Sequence, residues 1–130
     1  MKREPRWIDR RALLFLHEES LATFGGASGM RDEGLFDSAL ARPINKFIHD
    51  KTADFATLAA AYGFGLCRNH AFVDGNKRVA FLAIGLFLLL NGKRLVATDV
   101  ESVQITIALA AGTVEEEGLA EWIRAHMSGQ

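Results

Sequence analysis

An uninterrupted apolar run, VAFLAIGLFLLL at residues 79–90, constrains the fold of this chain more than any other feature. The run has 12 residues, whereas a helix that crosses a membrane needs about 20. Because no polar residue marks an exposed face within the run, it is typical of a helix buried against several neighbours. The sequence therefore predicts a central core helix and no membrane-spanning segment.

Apolar residues recur with helical spacing along most of the remaining chain. Residues 98–101 (TDVE) and 113–116 (TVEE) have the form of a capping box, which opens a helix. Pro43 predicts the end of a helix, since proline lacks the amide proton that a helix interior needs. We therefore expect one all-α domain, residues 1–130, with about six helices. The predicted helices are 8–24, a short one between Asp32 and Pro43, 54–69, 76–90 and two opening at the capping boxes. Residues 44–53 are predicted to be an irregular connection or a partial helix, and residues 93–97 a short extended piece.

Composition and charge limit the classes of function. The formal net charge is −1, whereas a dedicated nucleic-acid-binding domain is usually basic. Cys67 is the single cysteine of the sequence, which excludes an internal disulfide and suits a reducing compartment. The charged start, MKREPRWIDR, lacks the apolar stretch of a signal peptide. We therefore expect a cytoplasmic protein without direct nucleic-acid binding, in which any attraction to phosphate is local.

Residues 68–78, RNHAFVDGNKR, place polar groups at the predicted start of the central helix. The first backbone N–H groups of a helix lack intrahelical partners and lie at the positive end of its dipole. Gly75 permits a positive φ and a close approach to the backbone, and Asn76 adds an amide. Lys77 and Arg78 oppose the dipole, a penalty that a bound anion would offset, and Arg68 is in reach on the preceding helix. These features predict an anion site that suits a polyphosphate.

His70 and Asp74 add acid–base and metal chemistry to this segment. Asp74 weakens the local positive charge, so we interpret it as a ligand for Mg²⁺, which prefers oxygen ligands. His70 is suited to accept the proton of an attacking hydroxyl near neutral pH. The combination is typical of phosphoryl or nucleotidyl transfer. A solvated helix cap without a ligand is the alternative, and a transition-metal site is disfavoured because no further Cys or His lies nearby.

The stretch HAFVDGNKR, residues 70–78, resembles the signature of the Fic/Doc superfamily, His-x-Phe-x-Asp-Gly-Asn-(Gly or Lys)-Arg. Lys77 stands where AMP-transferring members have a second glycine and death-on-curing toxins have lysine, whereas Gly75 agrees with the AMP-transferring members. Residues 26–43, GASGMRDEGLFDSALARP, resemble the N-terminal signature of those toxins, and Arg68 also fits their pattern. The resemblance extends to LAEWIRAHM at residues 119–127, and so over essentially the whole chain.

The resemblance implies a compact all-α Fido domain that acts as the toxin of a bacterial toxin–antitoxin pair. Relatives of this type use ATP and Mg²⁺ to phosphorylate a threonine of elongation factor Tu. They are neutralised by the C-terminal segment of a Phd-like antitoxin, which we expect to fold onto this chain near the active site. By analogy, His70 is the catalytic base, Asp74 holds Mg²⁺, and Phe72 anchors the loop in the core. The predicted contacts to the phosphates of ATP come from Arg68, Asn76, Lys77 and Arg78, with backbone donors at Gly75.

Two other functions stay open at this point. The first is transfer of AMP, and the second is a catalytically silent domain whose anion site docks an acidic partner peptide. TVEEEG at residues 113–118 also fits the loose Ser/Thr-x-x-x-Glu-(Gly or Asn) pattern of Fic self-inhibitory helices. We prefer to explain Thr113 and Glu116 by a capping box. His17 is predicted to be a packed or surface histidine rather than a ligand, and Cys67 a small core residue.

Overall fold

Residues 4–129 are described by the computed structural model, and they form six helices and one two-stranded antiparallel sheet. This confirms the prediction of an all-α fold. No helix in this part of the chain is long and apolar enough to cross a membrane. Residues 1–3 and 130 of the predicted domain lie outside the described range. The helices are α1 (Arg10–Phe24), α2 (Glu33–His49), α3 (Phe55–Asn69), α4 (Asn76–Leu90), α5 (Asp99–Ala111) and α6 (Glu116–Ala125), and the strands are β1 (Lys93–Leu95) and β2 (Met127–Gly129).

The predicted central helix is α4, which packs against α3, α1 and α5. Its apolar run supplies much of the core, although Leu89 near its C-terminal end is 60% exposed. Helix α3 is the other core helix, and α2 and α6 pack against it. The side chains of α4 that are buried in the core are Val79, Ala80, Ala83, Ile84, Phe87 and Leu88.

Gly63 and Gly65 let two helices approach α3 closely. A Cβ atom on Gly63 would lie 2.6 Å from Cδ1 of Ile84 on α4, far inside van der Waals contact. A Cβ atom on Gly65 would lie 3.4 Å from Cα of Ala39 on α2. The small residues of this segment therefore permit close helix packing, and each glycine faces a different neighbour.

Helix α2 differs from the prediction, because it continues through Pro43 to His49 instead of stopping before the proline. Of the two readings open for residues 44–53, an irregular connection or a partial helix, the partial helix holds for residues 44–49. Proline removes one intrahelical hydrogen bond and crowds the preceding turn. However, Pro43 and Phe47 are both buried, and Phe47 packs edge-on against Trp7 at 5.9 Å between ring centroids. Burial of this apolar face offsets the local penalty, so tertiary packing overrides the helix-breaking tendency.

The two predicted capping boxes have different outcomes. At the start of α5, the Thr98 side chain accepts from the amide of Glu101 and the Glu101 side chain accepts from the amide of Thr98, which confirms that box. The box at Thr113 is wrong, because α6 begins at Glu116 and no side chain caps it. Glu116 instead forms an ion pair with Arg42 of α2. The first turn of α6 is therefore tied to α2 by this ion pair and not by a side-chain cap.

The extended piece predicted at residues 93–97 is confirmed in part as β1, Lys93–Leu95. Its partner β2, Met127–Gly129, is not among the predicted elements. The two strands run antiparallel, with Arg94 opposite Ser128. A strand of three residues is too short to show an alternation of polar and apolar residues, so the sequence gives no signal for β2. The fold brings the chain after α6 back beside β1.

Candidate active site

A cleft of about 450 Å³ lies where the end of α1, the loop between α3 and α4 and the first turn of α4 meet. Ala110 of α5 completes its wall. The lining includes six of the predicted site residues, and Arg68 is absent from it. These six residues are His70, Asp74, Gly75, Asn76, Lys77 and Arg78.

His70 ends α3 in the left-handed conformation, with φ 52° and ψ 47°. Every other residue of positive φ in residues 4–129 is a glycine. This conformation costs an L-residue roughly 1–2 kcal/mol, so surrounding contacts must hold it. The segment before α2 supplies some of them, because the amide of Arg31 donates to the Ala71 carbonyl at 2.7 Å and the amide of Val73 donates to the Gly29 carbonyl at 3.0 Å. The loop between α3 and α4 is thereby paired with the chain that leads into α2.

Asn76 is buried and bonds to the main chain of its own loop. Its Oδ1 accepts from the amide of Phe72 at 3.0 Å, and its Nδ2 donates to the carbonyl of Phe72 at 2.9 Å. The same Nδ2 lies 3.4 Å from Nδ1 of His70. The amide group therefore closes the turn from residue 72 to residue 76 beside His70. Its predicted contact with phosphate stays a prediction, and its use within the loop is the role that sequence reasoning missed.

His17 supports the same loop from α1. It is 1% exposed, and its ring stacks on Phe72 with 3.6 Å between centroids. Its Nε2 donates to the carbonyl of Asp74 at 2.7 Å. A Cβ atom on Gly75 would lie 3.3 Å from that nitrogen, so a glycine at this position leaves room for the histidine. His17 is thus a packed histidine, as predicted, and Phe72 anchors the loop in the core, as predicted.

Asp74 presents the single acidic side chain of the cleft lining. Its Oδ2 accepts from the amide of Ala27 at 3.0 Å, which orients the carboxylate. Residues 4–129 contain no group of three or more His, Cys, Asp or Glu side chains able to hold a metal ion. One carboxylate suits Mg²⁺, which takes its remaining ligands from phosphates and water, and does not suit a transition metal. The role of Asp74 as a metal ligand stays a prediction.

The start of α4 has the properties of an anion site. Gly75 is its N-cap, with φ 80°, and no side chain caps the helix. By contrast, Asp54 caps the start of α3 and Thr98 that of α5. The first turn of α4 contains no acidic residue and includes the exposed Lys77 and the half-buried Arg78. The free N–H groups, the helix dipole and both cations favour a bound anion.

Arg68 is placed differently from Lys77 and Arg78, the two cations of α4 that line the cleft. The guanidinium of Arg78 lies over the ring of Phe24 at 4.5 Å from its centroid, at the edge of the cleft. Arg68 on α3 stacks over the ring of Phe64 at 4.8 Å and does not line the cleft. Its predicted contact with phosphate therefore requires the side chain to leave Phe64, and it stays a prediction.

Cys67 is buried at the inner side of the cleft, as predicted for a small core residue. Burial raises the pKa of its thiol, and the nearby charges of Arg68 and Lys77 lower it. The net direction is upward. A thiol with a raised pKa is a poor nucleophile, so Cys67 is not a candidate for covalent catalysis.

The Fic-like pattern at residues 113–118 lies at a different place on the molecule. Its glutamate, Glu117, lines a separate cleft of about 720 Å³ between α2 and α6 and does not line the cleft of His70. The cations of this second cleft are paired, since Arg42 bonds to Glu116 and Arg124 bonds to Asp54. Glu117 is therefore not placed to block the site.

Comparison with known proteins identifies the family of this chain. Residues 7–88 match the profile of the Fic/DOC family. The chain belongs to this family. A protein of Escherichia phage P1 named protein kinase doc is 29% identical over 119 residues, which cover 92% of this chain and 94% of the relative. A protein of Mycolicibacterium smegmatis (strain ATCC 700084 / mc(2)155) named toxin Doc is 47% identical over 75 residues, which cover 57% of this chain and 58% of the relative.

Proposed function

We propose that this protein is the toxin of a toxin–antitoxin pair and acts as an ATP- and Mg²⁺-dependent protein kinase. Its target is a hydroxyl side chain of a translation factor similar to elongation factor Tu, and its action arrests translation. The observation that carries the proposal is the uncapped N-terminus of α4, which presents Lys77 and Arg78 in the same cleft as His70 and Asp74. The names of the two relatives, a kinase and a toxin, support the activity and the biological role.

In this mechanism His70 accepts the proton of the attacking hydroxyl. Its exposed side chain lines the cleft, where a protein substrate has access. The N–H groups at the start of α4, Lys77 and Arg78 bind and orient the phosphates of ATP. Asp74 would hold Mg²⁺, which supplies neutralisation of the phosphate charge. Little covalent chemistry falls to the protein, because phosphoryl transfer depends mainly on positioning and charge stabilisation.

Lys77 favours transfer of phosphate over transfer of AMP. A glycine at this position leaves space for phosphates close to the backbone, whereas the lysine side chain fills that space. The relative named protein kinase doc covers almost the whole chain and supports the same choice. Gly75, which agrees with the AMP-transferring pattern, does not bear on the choice in the same way. Its φ of 80° and the 3.3 Å that would separate a Cβ atom there from His17 Nε2 give the glycine a local structural reason.

The antitoxin is the second proposed partner. An apolar groove of about 410 Å³ continues from the cleft between α4 and α5. Val103 and Ile107 on its α5 side are each 57% exposed. Lys77 and Arg78 line both the groove and the cleft. A C-terminal antitoxin segment with apolar and acidic residues would therefore suit the groove and cover the site.

The experiment that tests this function follows the label of ATP. Purified protein is incubated with Mg²⁺, elongation factor Tu and ATP labelled at either the α- or the γ-phosphate. We expect label to reach the elongation factor from the γ position alone, and omission of the factor is the control for self-labelling. Label arriving from the α position would instead establish AMP transfer and remove Lys77 as the discriminating residue. Absence of transfer from both positions would favour the silent partner-binding domain.

A further inference from the structure

His70 needs a backbone conformation that a histidine does not favour by itself. It is the one non-glycine residue of positive φ among residues 4–129. The values of φ and ψ at a residue set the direction in which its Cβ points. Relaxation of the His70 peptide toward common values would therefore redirect the imidazole. Whatever fixes this peptide also fixes the proposed base.

Arg31 contacts this peptide directly. Its guanidinium donates to the carbonyl oxygen of His70 from Nε at 3.1 Å and from Nη2 at 2.7 Å. Two donors on a rigid planar group define the position of the acceptor better than the single ammonium of a lysine does. The main chain of Arg31 is anchored as well, since its amide donates to the Ala71 carbonyl at 2.7 Å. The following residue, Asp32, caps α2, so the Arg31 side chain starts from a fixed point.

The contacts of Arg31 differ from those of the cations in the cleft. Arg31 does not line the cleft, whereas Lys77 and Arg78 do. Two nitrogens of its guanidinium are engaged with the main chain of His70. A role through His70 follows from this placement, rather than contact with a nucleotide.

We propose that Arg31 is a positioning residue, which holds the His70 peptide in the left-handed conformation that directs the imidazole into the cleft. The proposal deepens the proposed function and rests on it for one of its two readouts, the rate of transfer. The other readout reports on His70 itself and needs neither ATP nor a protein substrate.

The first readout compares turnover with ATP binding. We expect Arg31→Ala to lower kcat by about 10- to 100-fold, the scale that a displacement of about 1 Å produces at a catalytic group. Affinity for ATP, titrated without turnover, should stay within about twofold of the wild type. Arg31→Lys keeps the charge and one donor, so it should recover part of the rate. Arg11→Ala, which removes an exposed arginine on α1, is the matched control and should leave both quantities unchanged.

The second readout is the NMR signal of the His70 ring, assigned by its loss in His70→Ala. The ring resonances should shift or broaden in Arg31→Ala and should match the wild type in Arg11→Ala. This result would stand even if no transfer from ATP were found, so failure of the proposed function and failure of the positioning role are distinguishable.

Three outcomes would overturn the proposal. Unchanged His70 ring signals in Arg31→Ala would mean that the arginine does not set the ring. A loss of ATP affinity equal to the loss of kcat would assign Arg31 to phosphate binding. Circular dichroism showing that both Arg31→Ala and Arg31→Lys are unfolded would make Arg31 a general requirement of the fold.

Discussion

Asn76 gives the sharpest test of how the loop between α3 and α4 is built. The segment before α2 bonds to the residues on either side of Phe72, so the amide and carbonyl of Phe72 are left to Asn76. Asn76→Ala removes both partners at once in a buried turn. A buried polar group without a partner costs about 1–3 kcal/mol. Two such groups are left, the amide and the carbonyl of Phe72, and water that enters the space of the lost side chain satisfies part of their bonding. We therefore expect the free energy of unfolding to fall by about 2–4 kcal/mol.

Urea unfolding followed by circular dichroism measures this change. Asn45→Ala, which alters an exposed asparagine on α2, is the matched control and should change stability by less than about 0.5 kcal/mol. Asn76→Asp keeps an acceptor for the Phe72 amide but sets a buried carboxylate oxygen against the Phe72 carbonyl, so it should not restore the stability of the wild type. The reasoning is refuted if Asn76→Ala is as stable as the wild type and only ATP affinity falls. Asn76 would then be a phosphate ligand, as the sequence predicts, and not a structural tie.

Two further predictions concern α3. Gly63→Ala would place a Cβ atom 2.6 Å from Ile84. The cost of overpacking, about 1–3 kcal/mol, should exceed the helix-propensity gain of about 1 kcal/mol, so urea unfolding should show a net loss of stability. Gly85→Ala, with no atom within 4 Å of the new Cβ, is the control and should be neutral or stabilising. The hydrogen bond from Arg124 holds the pKa of Asp54 well below its ordinary value of 3.8. The folded state therefore binds this proton more weakly than the unfolded chain, and the stabilisation is present above pH ~4 and lost as the pH falls toward the folded pKa. The stability difference between the wild type and Asp54→Asn should accordingly shrink between pH ~7 and pH ~3, and a constant difference would contradict the role of the ion pair.

Sequence rules predicted correctly the helices that are specified by residues close together in the chain. The apolar run predicts α4, and the Thr98 capping box predicts the start of α5. The errors arose where distant residues decide the outcome. Helix α2 passes through Pro43 because that face is buried. Helix α6 begins three residues after Thr113, at Glu116, which pairs with α2.

The same division applies to the candidate site. The signature at residues 70–78 contains seven of the residues that line the cleft, because they are close in sequence. His17 and Arg31 contact the loop from α1 and from the start of α2, at separations of 57 and 39 residues. No spacing rule connects such distant positions in a single sequence. Arg31 does lie in the stretch that resembles the toxin signature, and this was the available signal for its importance.

The most direct test of the central claim is the rate of phosphate transfer by His70→Ala relative to the wild type, with both proteins shown to be folded. Removal of a general base should lower the rate by roughly 10²- to 10⁴-fold. His49→Ala, which alters an exposed histidine at the end of α2, provides the matched control and should retain the wild-type rate. A rate for His70→Ala within about twofold of the wild type would contradict the assignment of His70 as the base and, with it, the account of this cleft as the active site.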